Sequence, residues 1–369
     1  MLDFCIKILR DLVSFKTITP HGADAIEYCS NFLESLGFSC QKLQYGEVSN
    51  MYARFGNSKK NLCFAGHVDI VPPQNDWVND PFTLVEKGEK LYGRGVNDMK
   101  GPLAAFLVAL KNFPLNSSDL SISVLLTSNE EISGENGTKE VIKFLKEKNE
   151  VITGAVLCES CSPYSAGEYI KIGCKGSLNI DLISSGKQCH VVNGKVFGNH
   201  IHNFVKTLYD LTTLEFDKGN ENFSSSDLEI TSIDIENPTR NLIPNNAIAK
   251  LNIRFNNLWT FEKLEELIKK KANGLNVLFK RFENPFVCAN QNFIDFLKNV
   301  IKETIWKEPQ IGTLGGNSDA SFIKDITDVV EIGSRISEAH IANEFITKED
   351  LMKLMNIYSS IMNSFNKYT

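Results

Sequence analysis

Apolar residues recur at three- and four-residue spacing over 2–15 and again over 24–36, the period of amphipathic helices. Strand-like runs follow at 38–44, 50–55 and 61–66, and 81–93 reads as two short strands around a turn. The apolar segment 102–112 predicts a buried helix, 121–127 a strand, 137–148 a helix and 154–158 a strand. Strands alternating with helices predict a largely parallel sheet covered on both faces. The pattern changes near Gly173. A strand at 177–184, a helix at 199–213, strands at 225–235 and 244–255, a helix at 260–273 and a strand at 275–283 follow. That order, β-α-β-β-α-β, is the ferredoxin-like arrangement. It predicts an inserted α+β domain over 175–286 within an α/β domain made of 1–174 and 287–369. The first pattern then resumes with a helix at 291–304, a loop at 312–319, a strand at 327–332, His340 in a loop and a C-terminal helix from about 347.

Composition narrows the function classes. Among 369 residues, 39 basic and 45 acidic side chains give a net charge of −6 without a basic block, so no nucleic-acid partner is expected. The run Lys269-Lys270-Lys271 closes a predicted helix, where cations suit the dipole. No stretch approaches the roughly 18 apolar residues of a membrane span, and no membrane partner is expected. The first ten residues mix charge into apolar positions at helical spacing, unlike a signal peptide. Nine scattered cysteines, an odd number without regular spacing, argue against a disulfide framework and for a reducing cytoplasm. Cys158 and Cys161 have C-x-x-C spacing, but no second such pair exists, and small apolar filling is the better reading.

The run Cys63-Phe-Ala-Gly-His67-Val-Asp69-Ile-Val-Pro-Pro predicts a strand ending in a histidine with an aspartate two residues on. Alternate residues of a strand share a side, so the Asp69 carboxylate is expected to accept a hydrogen bond from the far ring nitrogen of His67. Such a bond orients a metal-binding imidazole. The glycines of Gly93-Arg-Gly-Val-Asn-Asp98 invite a dinucleotide-binding reading, which fails: an aspartate stands where the third glycine belongs, and it would repel a pyrophosphate. A carboxylate on that turn suits a cation.

His67, Asp98, Glu131, Glu159 and His340 all fall in or beside loops, four of them just beyond predicted strands. The carboxyl ends of parallel strands open into one crevice, so residues distant in sequence can converge there. Two histidines and three carboxylates suit zinc, and their number suits two ions sharing a carboxylate. Glu130, beside Glu131, is placed to partner a water activated there.

At this point the sequence resembles the two-zinc aminoacylase and carboxypeptidase family. The resemblance rests on Gly66-His67-Val-Asp69-Ile-Val-Pro, Tyr92-Gly-Arg-Gly-Val-Asn-Asp98-Met-Lys-Gly101, Glu130-Glu131 and Glu159. It extends through Ile170-Lys-Ile-Gly-Cys-Lys-Gly-Ser-Leu, Asn241-Leu-Ile-Pro, Asn252-Ile-Arg254-Phe, Gly315-Gly-Asn-Ser-Asp319 and His340-Ile-Ala-Asn-Glu344 to cover essentially the whole chain. It implies a two-zinc aminopeptidase-like catalytic domain with a central, mostly parallel sheet and an inserted ferredoxin-like lid that forms a homodimer. It implies hydrolysis of an N-acyl amino acid by two Zn2+, with Co2+ able to substitute. His67 and Glu159 would hold one zinc, Glu131 and His340 the other, with Asp98 bridging and Asp69 orienting His67. Glu130 would move protons, and His190 of the lid would steady the oxyanion in the partner's site. Lys175, Asn241, Arg254, Gly315, Gly316 and Asn317 are the matching substrate contacts. Several stretches look most like members that remove a succinyl group.

Departures cluster where substrate is chosen. A basic residue before Lys175 is Cys174, and a glycine before His190 is Cys189. The run after His190 is Val191-Val-Asn-Gly194, a threonine is Asn317 and an aspartate is Asn343. The expected ligands are intact, so the resemblance implies removal of a succinyl group, with an acetylornithine deacetylase or a dipeptidase/aminoacylase of the same two-metal mechanism as the alternative.

Overall fold

The computed structural model describes residues 1–368 apart from 133, 135 and 238, so two positions of the turn after Glu131 lie outside the described residues. The chain divides into two compact units, Met1–Gly173 with Cys288–Thr369, and Cys174–Val287.

The first unit is built on an eight-stranded sheet. Its strands run in the order Ser39–Tyr45, Val48–Phe55, Ser121–Thr127, Asn61–His67, Gly154–Leu157, Val329–Glu331, Tyr169–Lys171 and Gln310–Gly312. The four strands from Ser121–Thr127 to Val329–Glu331 are mutually parallel, and the neighbours on either side, Val48–Phe55 and Tyr169–Lys171, join them antiparallel. Every residue of Asn61–His67 and of Ser121–Thr127 is buried, as a strand covered on both faces requires. Helix Lys100–Lys111 packs against Leu2–Ser14 and Lys348–Ser364, while Ala23–Ser35 and Thr138–Glu147 lie against the strand Val48–Phe55. Phe64 of the central strand stacks on Phe106 at 4.2 Å between ring centroids and meets the edge of Tyr358. Tyr358 donates its hydroxyl to the carbonyl of Ile332 at 2.8 Å, which satisfies the polar end of a buried ring. No helix among the described residues is long and apolar enough to cross a membrane.

The second unit is an antiparallel sheet ordered Asp227–Asp234, Asn246–Phe255, Gly176–Ser185 and Asn276–Glu283, with helices His200–Thr212 and Phe261–Lys271. Burial alternates along Asn246–Phe255, and its inward residues Ala247, Ala249, Leu251, Ile253 and Phe255 join Phe204, Leu208, Leu264 and Ile268 of the helices in one core. One face of this sheet is therefore packed and the other is not.

Predicted elements recur within two residues at most ends. Among the strands that the pattern does not predict are three of three residues each, Tyr169–Lys171, Gln310–Gly312 and Phe345–Thr347. Three residues carry too little alternation to read as strands. The last of them pairs with Lys90–Tyr92, which in turn pairs with Val85–Lys87.

The glycines of the run Gly93–Gly101 have a packing role. A Cβ on Gly101, in the first turn of its helix, would stand 2.1 Å from the carbonyl oxygen of Val96. The backbone of the turn carrying Asp98 can lie on the helix only because no side chain intervenes. Gly101→Ala is expected to cost about 1–3 kcal/mol of stability through overpacking. Urea denaturation of the metal-free protein measures it, and an unchanged midpoint would contradict the close approach.

Candidate metal centre

His67 is the last residue of its strand, Glu159 lies two residues beyond Leu157, and Glu131 lies four beyond Thr127. These three sit at the carboxyl ends of adjacent parallel strands. Asp98 arrives differently, from the turn before helix Lys100–Lys111, and His340 from the loop before Phe345–Thr347. All five meet. Nε2 of His67 is 3.4 Å from Oδ1 of Asp98 and 3.5 Å from Oε1 of Glu159. Nε2 of His340 is 3.2 Å from Oδ2 of Asp98 and 2.9 Å from Oε2 of Glu131. Asp98 thus turns one oxygen to each histidine. His67, Asp98 and Glu159 form one potential ligand group, and Asp98, Glu131 and His340 a second.

The electrostatics favour a cation. Among the described residues, His67 Nε2, Asp98 Oδ1 and Glu159 Oε2 are buried without a hydrogen-bond partner. Nδ1 of His67 faces the main-chain oxygen of Asp69 at 3.0 Å, an acceptor, so Nδ1 is the donor there and Nε2 is left for a ligand. Lone pairs then converge on one buried point, a costly arrangement unless positive charge fills it. Burial works against charge on His67, yet Glu159 and Asp98 hold its pKa well above the ordinary value. Hydrogen bonds that Asp98 and Glu131 accept from its ring raise that of His340 to about 10. Burial, then the charge of Asp98, pushes Glu159 to about 8. Burial and then Glu159 raise Glu130 well above the usual carboxylate range. Burial also acts to raise Asp98, but the neighbouring imidazoles of His340 and His67 prevail and hold it well below that range. The nitrogen and oxygen donors fit a divalent transition metal.

Asp69 differs from expectation. Its carboxylate is 3.6 Å from Nδ1, beyond a hydrogen bond, and the main-chain oxygen is the nearer acceptor. The carboxylate instead accepts the N–H groups of Glu130 and Glu131, both at 3.3 Å. Asp69 therefore orients His67 through its backbone and holds the acidic turn through its side chain.

A cavity of about 250 Å³ opens on the centre, with Asp98, Glu130, Glu131, Glu159 and His340 in its wall. The imidazole of His340 is 52% exposed, whereas the His67 side chain is 1% exposed. Gly316 and Asn317 also line this cavity. Gly315 beside them has φ +102°, the left-handed region that glycine tolerates. Lys171 holds this loop, a role the sequence reading did not assign although its motif was in view. Its ammonium, 2% exposed, donates to the carbonyl of Gly316 at 2.7 Å and pairs with Glu331 at 2.9 Å. Glu331 in turn accepts the hydroxyl of Ser318 at 2.6 Å. Only the buried side of the loop shows that function, because sequence spacing cannot indicate which lysine lies under it.

The other candidates belong to the second unit. His190 pairs with Leu242 in a two-residue ribbon, and its Nδ1 accepts the N–H of Val192 at 3.3 Å, leaving Nε2 as the proton-bearing nitrogen. Lys175 donates to the carbonyl of Ser225 at 2.6 Å and lies 3.6 Å from Asp227. The carbonyl of Asn241 accepts from Val191, and Arg254 sits in strand Asn246–Phe255 opposite Ser177. Cys174 and Cys189 are both buried, and no cysteine forms a disulfide.

Comparisons with known proteins place this geometry. The profile of peptidase family M20/M25/M40 matches residues 63–364. A succinyl-diaminopimelate desuccinylase of Wolbachia pipientis subsp. Culex pipiens is 38% identical, over 98% of this chain and 93% of the relative. One from Ehrlichia canis is 37% identical over 98% of each. Among solved structures, an M20 family metallo-carboxypeptidase from Sulfolobus solfataricus superposes with a TM-score of 0.81 at 20% identity, covering 98% of this chain and 99% of its own. A tripeptidase from Staphylococcus aureus gives 0.82 at 17%, covering 100% and 99%. With this profile spanning most of its length and such relatives end to end, the chain belongs to the M20/M25/M40 peptidase family.

Proposed function

We propose that the chain is a two-metal amide hydrolase that cleaves N-succinyl-L,L-2,6-diaminoheptanedioate to succinate and L,L-diaminopimelate, a reaction of lysine and diaminopimelate synthesis in the cytoplasm. The observation that carries the reading is Asp98, whose two oxygens face separate histidine–carboxylate pairs. The names of the relatives support the substrate.

His67, Asp98 and Glu159 would hold one metal, and Asp98, Glu131 and His340 the other. Zinc suits these donors, and cobalt can replace it. Bound there, the pair would polarise the amide carbonyl and acidify the attacking water. Glu130 lines the cavity without belonging to either ligand group, so its carboxylate is available to take the water's proton and return it to the leaving amine. The loop at Gly316 and Asn317, fixed from beneath by Lys171, offers polar groups to the substrate. His190 would donate from Nε2 to the developing oxyanion. In this reading the second unit forms a homodimer and brings His190 to the partner's centre. Exposed Val191, Val192, Val196, Phe197, Val205 and Tyr209 on that unit are consistent with an interface.

Incubation with the succinyl substrate is expected to yield succinate, with chelator stopping the reaction and added zinc or cobalt restoring it. Release of acetate from an N-acetyl analogue with no succinate from the succinyl compound would overturn the assignment. Glu130→Gln is expected to lower kcat by about 10²- to 10⁴-fold while retaining both metals, and an unchanged kcat would remove it from proton transfer. His190→Ala is expected to lower kcat by about 10²- to 10³-fold with little change in KM. Mixing that variant with Glu130→Gln should restore activity through mixed dimers, and no recovery after subunit exchange would contradict action across the dimer.

A further inference from the structure

The segment from His340 to Glu344 supplies one candidate metal ligand and ends in a buried carboxylate outside both ligand groups. Glu344 is 1% exposed. Its Oε2 accepts from the guanidinium of Arg94 at 3.0 Å and from the N–H of Gly95 at 2.9 Å. Its Oε1 accepts from the N–H groups of Asn97 at 2.7 Å and Asp98 at 3.1 Å. One cation would have sufficed to compensate the charge. Instead, three of the four donors are main-chain amides of the turn that carries Asp98, which wraps the carboxylate as a backbone nest wraps an anion.

Other contacts fix the same turn from outside. Asn97 donates its side-chain amide to the carbonyl of Arg335 at 2.7 Å, and its own carbonyl accepts the Ser334 hydroxyl at 2.6 Å. Phe345 pairs with Tyr92, so the chain after Glu344 is zipped to the chain before the turn. Asn343 bridges outward: its amide donates to the carbonyl of Asp76 at 3.2 Å and its oxygen accepts the N–H of Val78 at 2.9 Å.

We infer that Glu344 is a positioning residue for the metal centre, a carboxylate that shapes the Arg94–Asp98 turn so that Asp98 offers one oxygen to each metal. This rests on the two-metal reading and adds to it that the turn is already formed before metal arrives. Because Glu344 and His340 share one short segment, displacement of either moves two ligands together.

Two measurements test it. Zinc or cobalt is titrated into native protein and Glu344→Gln in competition with a chromogenic chelator. Gln keeps the size of the side chain but sets an N–H₂ group against two N–H donors whichever way its amide is turned. Metal affinity is expected to fall about 10- to 100-fold, the usual effect of disturbing a group that orients ligands. Equal affinity in the folded variant would overturn the inference even if its melting temperature fell, because support of the fold alone would not change the affinity of folded molecules. Hydrogen exchange on the native metal-free protein needs no variant. The amides of Gly95, Asn97 and Asp98 are expected to be protected without metal, and protection appearing only after metal addition would overturn the pre-formed turn. Failure of native protein to bind metal at all would overturn the two-metal reading, and the native control shows it separately.

Discussion

Everything at the mouth of the central sheet answers to one constraint: acceptor atoms meet where water is excluded. Among the described residues, Nε2 of His67, Oδ1 of Asp98 and an oxygen of Glu159 lie buried without hydrogen-bond partners. Such an arrangement is unfavourable in a metal-free interior, where the surrounding carboxylates raise the pKa of His67 and burial raises that of Glu159. A cation satisfies the same atoms without altering the side chains. The site is therefore one whose stability and chemistry are coupled to a ligand that binds lone pairs.

Holding like charges together takes rigid support, and the surrounding polar contacts provide it. The Asp69 carboxylate fixes the amides of Glu130 and Glu131. Glu344 gathers the amides before Asp98. The Lys171–Glu331–Ser318 chain anchors the loop of Gly316 and Asn317. Each support joins segments far apart in sequence, and each satisfies backbone groups that a buried loop would otherwise leave unpaired. The parallel sheet contributes by ending several strands at one edge, so a few short turns suffice to assemble the centre.

His67, Glu131 and Glu159 follow long strands, so a common placement for them was legible in the pattern, whereas Asp98 and His340 come from a turn and a loop and were legible only through their motifs. The ligand motifs also resist chance: the turn at Asp98 could be separated from a nucleotide loop by a single residue. Three-residue strands were illegible, since they are defined by partners and not by their own alternation. The hydrogen bond assigned to the Asp69 side chain failed for a related reason. Alternation predicts a shared side but not the reach of a side chain, and past the last strand residue the Asp69 carboxylate finds nearer donors in the N–H groups of Glu130 and Glu131. Lys171 and Glu344 were hidden differently. Their motifs were in view, but a charged residue's role depends on what it is buried against, which no local spacing encodes.

The most direct test of the central claim is anomalous X-ray scattering at the zinc edge from crystals grown with zinc. Two peaks are expected about 3.5–4 Å apart, one among His67, Asp98 and Glu159 and the other among Asp98, Glu131 and His340. No peak at these residues, or a single ion with one Asp98 oxygen unengaged at full zinc occupancy, would contradict the account.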